Sequence, residues 1–269
     1  MSEVDWSRLK AHELRDRAAR GAVVIIPTAA TEQHGPHLPV MTDTRIGHEI
    51  ACRAARLATR PVVVTPPVWS GLSEHHMPFG GTLILSHETF RAVLRDLITA
   101  LTRHGFRDIL ISNSHGGNVI AIQQIADELG SKLDEATIVA TTYASEAREE
   151  IAGILEDQPG IHHAGEAETS MMMVLEPDLV DGSDLAALRS DRGKGFLGAG
   201  RASYRWRPFA HGTANGVSGD PTRANPDKGE RLLSVSAQAI ATLVDDAATW
   251  EPAKDQRGEG TTGVPFRDR

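Results

Sequence analysis

The stretch AVVIIPTAATEQHGPHLPVMTD, which runs from Ala22 to Asp43, joins a short apolar run directly to a group of polar side chains. Residues 22–26 are apolar and mostly β-branched, and Pro27 follows them. This pattern is typical of a strand buried on both faces of a parallel sheet. Because ligands in open α/β sheets bind beyond the carboxyl ends of the strands, we expect a site to be built from the residues that follow this one.

Strand and helix patterns alternate outward from this stretch. Further buried strands are predicted at 62–65, 108–112 and 136–142, and helices at 6–20, 44–57, between Ser86 and Gly105, around 122–133, at 164–175 and after the cap residue Asn225. The alternation predicts an α/β fold with a mostly parallel sheet covered by helices. Since no repeat or linker is evident, we expect a single domain over 1–269, with its core at about 20–249 and a charged tail at 250–269.

Composition narrows the class of partner. The 269 residues carry a net charge of −8, which argues against nucleic acid or an anionic membrane as the main partner. The charged N-terminal segment lacks the apolar core of a signal peptide, and no apolar run approaches the roughly 20 residues of a membrane span. These features predict a cytoplasmic protein. Cys52 is the single cysteine and is predicted to be a small buried side chain rather than a nucleophile.

Candidate metal ligands follow two of the predicted strands. Glu32 and His34 are two residues apart in an extended segment, so their side chains point to the same side, and Asp43 follows after a short loop. His115 comes after the strand at 108–112. Such ligands suit zinc, manganese or iron, and an aspartate can bridge two ions about 3.5–4 Å apart. Spacing alone does not separate this prediction from one in which the histidines are ordinary loop residues and Asp43 only caps a helix.

Two other segments carry residues that could take part in catalysis or binding. In HHAGEAETS, residues 162–170, His163 could shuttle protons and Glu168 could ligate a metal or orient water. For Glu166, the pattern favours a solvated surface carboxylate in a first helical turn at least as much as a role in a site. His75 and His76 lie in a loop at 69–82, where they could contact either a substrate or a neighbouring subunit.

Five segments in this order, TEQHGPHLPVMTDT, SEHHMPFGGT, NSHGGN, HAGEAETS and NGVSGDP, resemble the creatininase (creatinine amidohydrolase) family. The resemblance extends from about residue 20 to about residue 245. It implies a Rossmann-like three-layer α/β domain, a binuclear divalent metal site and hydrolysis of C–N amide-type bonds. It also implies an oligomer, commonly a hexamer built as a trimer of dimers.

The resemblance assigns expected roles residue by residue. The family's ligand positions correspond to Glu32, His34, Asp43 and His115, with Asp43 as the bridge between two ions. The position proposed for proton transfer corresponds to His163, and the carboxylate of the ETS motif corresponds to Glu168.

Two features depart from creatininase itself. Gly117 stands where creatininase has a glutamate ligand, so Glu168 or water would complete the shell of the second ion. Residues 145–162 contain none of the tryptophans that creatininase closes over creatinine. The residues GGN at 116–118, in the third segment, are similar to those of family members that act on other amides. These members include deformylases of pyrimidine intermediates in flavin and deazaflavin biosynthesis and the peptide-trimming member of the mycofactocin pathway.

The sequence thus predicts a metal-dependent amidohydrolase acting on a small polar amide, of which a cyclic, creatinine-like molecule is one form. Two divalent ions, zinc or manganese with iron as a further option, would be held by the predicted ligands and Glu168. A metal-bound hydroxide would attack the carbonyl, and His163 would protonate the leaving nitrogen. Loop 69–82 and residues 193–218 would shape the pocket. The alternatives are a deformylase-like or peptide-processing enzyme and a catalytically silent, metal-binding oligomeric scaffold.

Overall fold

A four-stranded parallel sheet forms the centre of the computed structural model, which describes residues 3–156, 158–190 and 204–257. Its strands are β1 (Val23–Thr28), β2 (Val62–Val64), β3 (Asp108–Asn113) and β4 (Thr137–Thr142). Their order is β2-β1-β3-β4, and each neighbouring pair is parallel. The strands predicted from sequence are therefore confirmed, with shifts of one or two residues at their ends.

The α-helices of the described residues are α1 (Ala11–Ala19), α2 (Thr42–Leu57), α3 (His87–Arg103), α4 (Val119–Gly130), α5 (Tyr143–Glu146), α6 (Arg148–Ala152), α7 (Glu166–Leu175) and α8 (Pro226–Asp245). Ser86 and Asn225 cap α3 and α8 as predicted. None of these helices has the length and apolar character needed to cross a membrane.

The first two predicted helices begin at residues other than those predicted. The pattern at 6–20 divides into a 3-10 turn, Trp6–Arg8, and α1, because the Asp5 side chain accepts from the Ser7 N–H and closes a separate turn. The prediction that Asp43 caps α2 is wrong. The helix begins at Thr42, so Asp43 lies inside its first turn and its carboxylate is available for other partners.

Helices cover both faces of the sheet, which confirms the three-layer α/β fold. On one face, Ile25 and Leu110 pack in a core with apolar side chains of α2, α7 and α8. On the other, Ile26 and Ile111 pack in a second core with side chains of α3 and α4. Adjacent strand residues thus face opposite cores, as a sheet buried on both faces requires.

The strand order places a topological switch point between β1 and β3. From β1 the chain crosses to β2 on one side, and it later returns to β3 on the other side of β1. Thr28 and Asn113, the last residues of these two strands, are paired across the switch point. Connections leave in opposite directions there, so a crevice opens beyond the carboxyl ends of β1 and β3. The predicted ligands follow these same two strand ends.

Candidate metal centre

Asp43 lies between two imidazoles at the centre of the crevice. Its Oδ1 atom is 3.1 Å from His34 Nε2, and its Oδ2 atom is 3.1 Å from His115 Nδ1. The first turn of α2 fixes Asp43, while His34 arrives on the loop after β1 and His115 on the loop after β3. One carboxylate therefore faces a histidine with each of its oxygens, which is the arrangement that a carboxylate bridging two ions needs.

Glu32 and Glu168 complete this group from opposite sides. Glu32 Oε1 is 3.3 Å from His115 Nδ1, and Glu168 Oε2 is 3.6 Å from His34 Nε2. Glu168 Oε2 also accepts a hydrogen bond of 2.6 Å from the Ala164 N–H. The structure thus brings together all five residues that the sequence predicts as ligands.

The three carboxylates are buried, and two of their oxygens lack hydrogen bonds. Glu32, Asp43 and Glu168 are 1%, 3% and 6% exposed. Among the described residues, Glu32 Oε2 and Asp43 Oδ2 have no hydrogen-bond partner, although Asp43 Oδ2 approaches His115 Nδ1 closely. Burying an unsatisfied polar atom costs roughly 1–3 kcal/mol. Divalent cations would satisfy both oxygens, so the residues present fit a metal centre.

Charges within the cluster shift the pKa values of its members. Burial opposes protonation of His34, but the negative charges of Asp43, Glu168 and Glu32 outweigh it and raise its pKa to about 10. The pKa of His115 lies well above its usual range because the neighbouring Glu32 and Asp43 likewise outweigh burial. Burial raises the pKa of Glu168 to about 7. In the ion-free protein, protons on the two imidazoles supply the positive charge that the carboxylates require.

Backbone and hydroxyl groups orient the two imidazoles. His34 Nδ1 donates to the Glu32 carbonyl oxygen over 3.1 Å, which leaves Nε2 facing Asp43. His115 Nε2 lies 3.3 Å from the Leu72 carbonyl oxygen and 3.1 Å from Ser73 Oγ, so its Nδ1 faces the carboxylates. Outer hydrogen bonds of this kind select the ring nitrogen that a metal ligand presents.

Gln33 determines the tautomer of His76. Its Oε1 accepts from the Gly35 N–H over 2.9 Å and its Nε2 donates to the Gly216 carbonyl oxygen over 3.2 Å, which fixes the orientation of the amide. The same Nε2 donates to His76 Nδ1 over 2.7 Å. Burial, reinforced by neighbouring histidines, holds the pKa of His76 far below its usual range, so the ring is neutral. Its proton is therefore on Nε2, which lies 3.4 Å from Glu32 Oε1.

His163 presents an acceptor to the cluster. Its Nε2 lies 2.7 Å from the backbone carbonyl oxygen of Gln33, which can only accept a hydrogen bond. The contact between His163 Nε2 and Gln33 Nε2 is longer, at 3.0 Å, so the backbone contact decides the tautomer. The other ring nitrogen, Nδ1, is 3.4 Å from Glu32 Oε1. Burial, with the positive charge of His34, holds the pKa of His163 well below its usual range. The neutral ring can accept a proton at Nδ1.

The turn after His163 is held from both sides. Ala164 has a φ of 54°, a left-handed conformation that costs a non-glycine residue about 1–2 kcal/mol. Its N–H donates to Glu168, and the Ser218 N–H donates to the His163 carbonyl oxygen over 2.9 Å. These bonds compensate for the strain and fix His163 and Glu168 relative to each other. The strain also explains why the helix predicted from residue 164 begins at Glu166.

Loop 69–82 contributes two histidines that the sequence analysis considered as substrate or subunit contacts but not as metal ligands. The 3-10 helix Glu74–Phe79 directs His75 and His76 toward the crevice. Groups of three potential ligand atoms within 4.8 Å of one another occur among the described residues in four combinations: Glu32 with His34 and Asp43, His34 with His163 and Glu168, Glu32 with His76 and His163, and Glu32 with His75 and His115. The sequence feature that could have indicated these ligands is the pair of adjacent histidines in a glycine-rich loop.

The sequence interpretations of Glu166 and Cys52 can be compared with the structure. Glu166 is not a solvated carboxylate; it is fully buried, and its Oε1 pairs with Lys228 Nζ at 2.6 Å. His37 is buried apart from the cluster and contacts Thr169 Oγ1 at 3.0 Å. Cys52 is buried, and burial raises the pKa of its thiol to about 11, which agrees with an inert side chain. The pocket-forming role predicted for 193–218 falls partly on 193–203, outside the described residues.

A model of the protein family described as Creatininase, creatinine amidohydrolase, matches residues 7–244. The chain belongs to the creatininase family. Among its relatives, the mycofactocin precursor peptide peptidase of Mycobacterium ulcerans is 31% identical over 247 residues, which cover 86% of this chain and 87% of that protein. Creatinine amidohydrolase of Pseudomonas putida is 28% identical and covers 91% of this chain and 95% of that protein. Membership confirms the prediction of a hydrolase that acts on C–N bonds.

Solved structures of creatininase share the fold. The crystal structure of creatinine amidohydrolase matches with a TM-score of 0.77 at 26% identity, over 91% of this chain and 97% of that chain. A mutant creatininase described as Zn-Zn type matches with a TM-score of 0.77 at 26% identity, over 91% of this chain and 98% of that chain. A form described as creatininase Mn matches with a TM-score of 0.75 at 26% identity, over 90% of this chain and 98% of that chain.

Proposed function

We propose that this protein is a metal-dependent amidohydrolase that cleaves the C–N bond of a small polar amide, cyclic or open-chain. The observation that carries the proposal is the buried carboxylate of Asp43 between His34 and His115, beside a Glu32 oxygen that has no hydrogen-bond partner among the described residues. Buried charges of this kind require cations or protons as partners. The family match supports hydrolysis as the use of the centre.

We infer that the ligands divide between two ions. Glu32, Asp43 and His115 would hold one, and His34, Asp43 and Glu168 would hold the other. Carboxylate and imidazole donors suit zinc and manganese, which supports these two metals, with iron as a further option. Divalent ions in such a site polarise the substrate carbonyl and lower the pKa of water so that a nucleophile is available near neutral pH.

The protein's own residues then orient the substrate and move protons. His163 Nδ1 accepts a proton within the crevice and delivers it to the leaving nitrogen, because its Nε2 is held by the Gln33 carbonyl. His76 Nε2–H, fixed by Gln33, donates a hydrogen bond toward the same space. Glu168, held by the Ala164 N–H, keeps its carboxylate directed at His34. The burial of these groups excludes water that would compete for protons.

A peptide-processing role is the second candidate. The relative from Mycobacterium ulcerans, whose name is mycofactocin precursor peptide peptidase, supports it. The absence of tryptophan from residues 145–162 also removes a feature expected for creatinine itself. Metal chemistry is the same for both candidates, so only the shape of the substrate differs.

The decisive experiment measures metal content and substrate turnover together. Purified protein is loaded with zinc or manganese, assayed by elemental analysis, and screened for ammonia or amine release from creatinine, formamides and short peptides. We expect His115→Ala to lose bound metal and all turnover, while the surface variant His12→Ala keeps both. Full activity in metal-depleted His115→Ala would contradict the mechanism, and metal uptake without any turnover would favour the silent scaffold.

We also infer a cytoplasmic homo-oligomer. Trp69 and Leu83 are each 54% exposed and both contact Thr31, and exposed apolar side chains at neighbouring places support contact with another copy. Light scattering on the purified protein measures the assembly; the family resemblance favours a hexamer, and a monomer would contradict this inference.

A further inference from the structure

We propose that His75 is a metal ligand that completes, with Glu32, Asp43 and His115, the coordination shell of one of the two ions. This inference rests on the proposed metal-dependent function. It goes further because none of the ligands predicted from the sequence comes from loop 69–82. It concerns one residue, and it can fail while the metal-dependent function stands.

In this chain, the packing around position 117 leaves no room for a ligand side chain. A Cβ atom placed on Gly117 would lie 2.3 Å from the Leu72 carbonyl oxygen and 2.4 Å from His115 Nε2. Real Cβ atoms do not approach backbone oxygens so closely, so any side chain at this position, including a carboxylate, would force the Leu72 backbone and His115 to move. Loop 69–82 therefore closes the route by which a ligand from the loop after β3 would reach the ion.

The same loop brings an imidazole to this place. The His75 Cε1 atom is 3.1 Å from the Cβ position at Gly117, so the ring occupies the space where such a side chain would begin. Its ring lies nearly parallel to that of His115, with an interplanar angle of 9° and a centroid distance of 5.8 Å. The absence of a side chain at 117 is thus what admits the His75 ring beside His115.

His75 reaches the carboxylate side of the cluster as well. Three potential ligand atoms lie within 4.8 Å of one another here: a ring nitrogen of His75, a ring nitrogen of His115 and a carboxylate oxygen of Glu32. His115 Nδ1 is in turn 3.3 Å from Glu32 Oε1 and 3.1 Å from Asp43 Oδ2. An ion among these atoms would have imidazole and carboxylate donors, which are ligand types that zinc accepts.

His76, although adjacent, does not serve the same purpose. Gln33 donates to its Nδ1, so the nitrogen that faces Glu32 carries a proton. A protonated nitrogen cannot donate electrons to a metal. His75 and His76 therefore have different roles on one short helix: His75 binds the ion, and His76 donates a hydrogen bond.

The test compares His75→Ala and His75→Gln with the surface control His12→Ala, using the full chain. Each protein is stripped of metal, checked by circular dichroism, loaded with Zn²⁺ and analysed for bound zinc, and then loaded with Co²⁺ for absorption spectra. We expect wild type and His12→Ala to bind two ions. Both His75 variants should bind one of them at least about tenfold more weakly, with a visible change in the Co²⁺ bands from loss of a nitrogen donor.

Each result has a definite meaning. Two ions bound with unchanged affinity and unchanged Co²⁺ spectra in both His75 variants would overturn the role of His75 and leave the metal-dependent function intact. No metal uptake by the wild type would overturn the proposed function itself. If His75→Ala fails to fold, His75→Gln, which keeps a side chain of similar size, gives the comparison.

Discussion

Protons and metal ions compete for the same nitrogen atoms at His34 and His115. The pKa of His34 is raised to about 10 and that of His115 lies well above its usual range, so both rings are protonated at neutral pH without an ion. Because a metal binds only the neutral ring, zinc uptake should release about two protons, and affinity should fall as the pH is lowered. Calorimetric titrations in two buffers of different ionisation enthalpy measure this release. Equal heats in both buffers would contradict it.

Gln33 is a positioning residue rather than a catalytic one, and its effect should be visible on His76. The variant Gln33→Leu removes the donor to His76 Nδ1, so the ring becomes free to adopt the other tautomer. We expect nitrogen NMR of histidine-labelled protein to show protonation at Nε2 alone in wild type and a mixture in the variant. Turnover should drop in kcat, with metal content unchanged. An unaltered His76 spectrum would show that Gln33 does not set the tautomer.

At the residue scale, the sequence predicted which side chains would meet but not what each would do. Glu32, His34, Asp43 and His115 could be identified because they follow strand ends. Whether Asp43 was a cap or a ligand depended on a shift of two residues in the start of α2, which lies within the ordinary uncertainty of a helix boundary. The tautomers of His76 and His163 depend on contacts with Gln33, and no spacing rule encodes such contacts.

The turn between β3 and α4 shows the consequence of close packing between elements. Asn118 joins three segments: its Oδ1 accepts from the Leu72 N–H over 3.0 Å, and its Nδ2 donates to the Ala29 carbonyl oxygen over 3.0 Å. It thereby draws loop 69–82 and the end of β1 against the turn that carries His115. The sequence predicted the strand and the helix on either side, but it did not predict the 3-10 helix Glu74–Phe79, which follows the segment that Asn118 holds.

Two neighbouring glycines in that turn provide a matched comparison. Gly117→Ala would place a Cβ 2.3 Å from the Leu72 carbonyl oxygen, whereas a Cβ at Gly116 would meet no atom within 4 Å. Overpacking should lower the free energy of unfolding by about 1–3 kcal/mol in Gly117→Ala and displace His115. We expect denaturant unfolding to show this loss together with weaker zinc binding, and Gly116→Ala to behave like wild type. Equal stability of the two variants would contradict the steric role of position 117.

Metal binding should stabilise the whole molecule. Ions that bind only the folded state at about 100 times their dissociation constant add about 2.7 kcal/mol for each site. We expect zinc to raise the melting temperature of metal-free protein by several degrees, a chelator to reverse the shift, and His115→Ala to show a smaller one. Thermal unfolding, monitored by circular dichroism, measures this change in melting temperature. An identical melting temperature with and without zinc would count against a metal centre in the native protein.

At the scale of the whole molecule, the alternation of strand and helix was enough to predict a parallel sheet with helices on both faces. The strand order was not predictable in the same way, because it depends on the side to which each crossover turns. That order creates the switch point between β1 and β3, and hence the place where the ligands converge. The sequence predicted the cluster beyond the ends of two strands, but only the topology shows that these two strands are neighbours.

The ligands are also far apart along the chain, since Asp43 belongs to the first helix after β1 and Glu168 to α7, near the end of the second third of the sequence. An ion held by both would act as a removable cross-link between distant segments, closing a long loop that the unfolded chain would otherwise leave open. Helix α7 could then separate from the sheet only after the ion had departed. Metal supply would therefore govern how long the native architecture persists, independently of any reaction it performs.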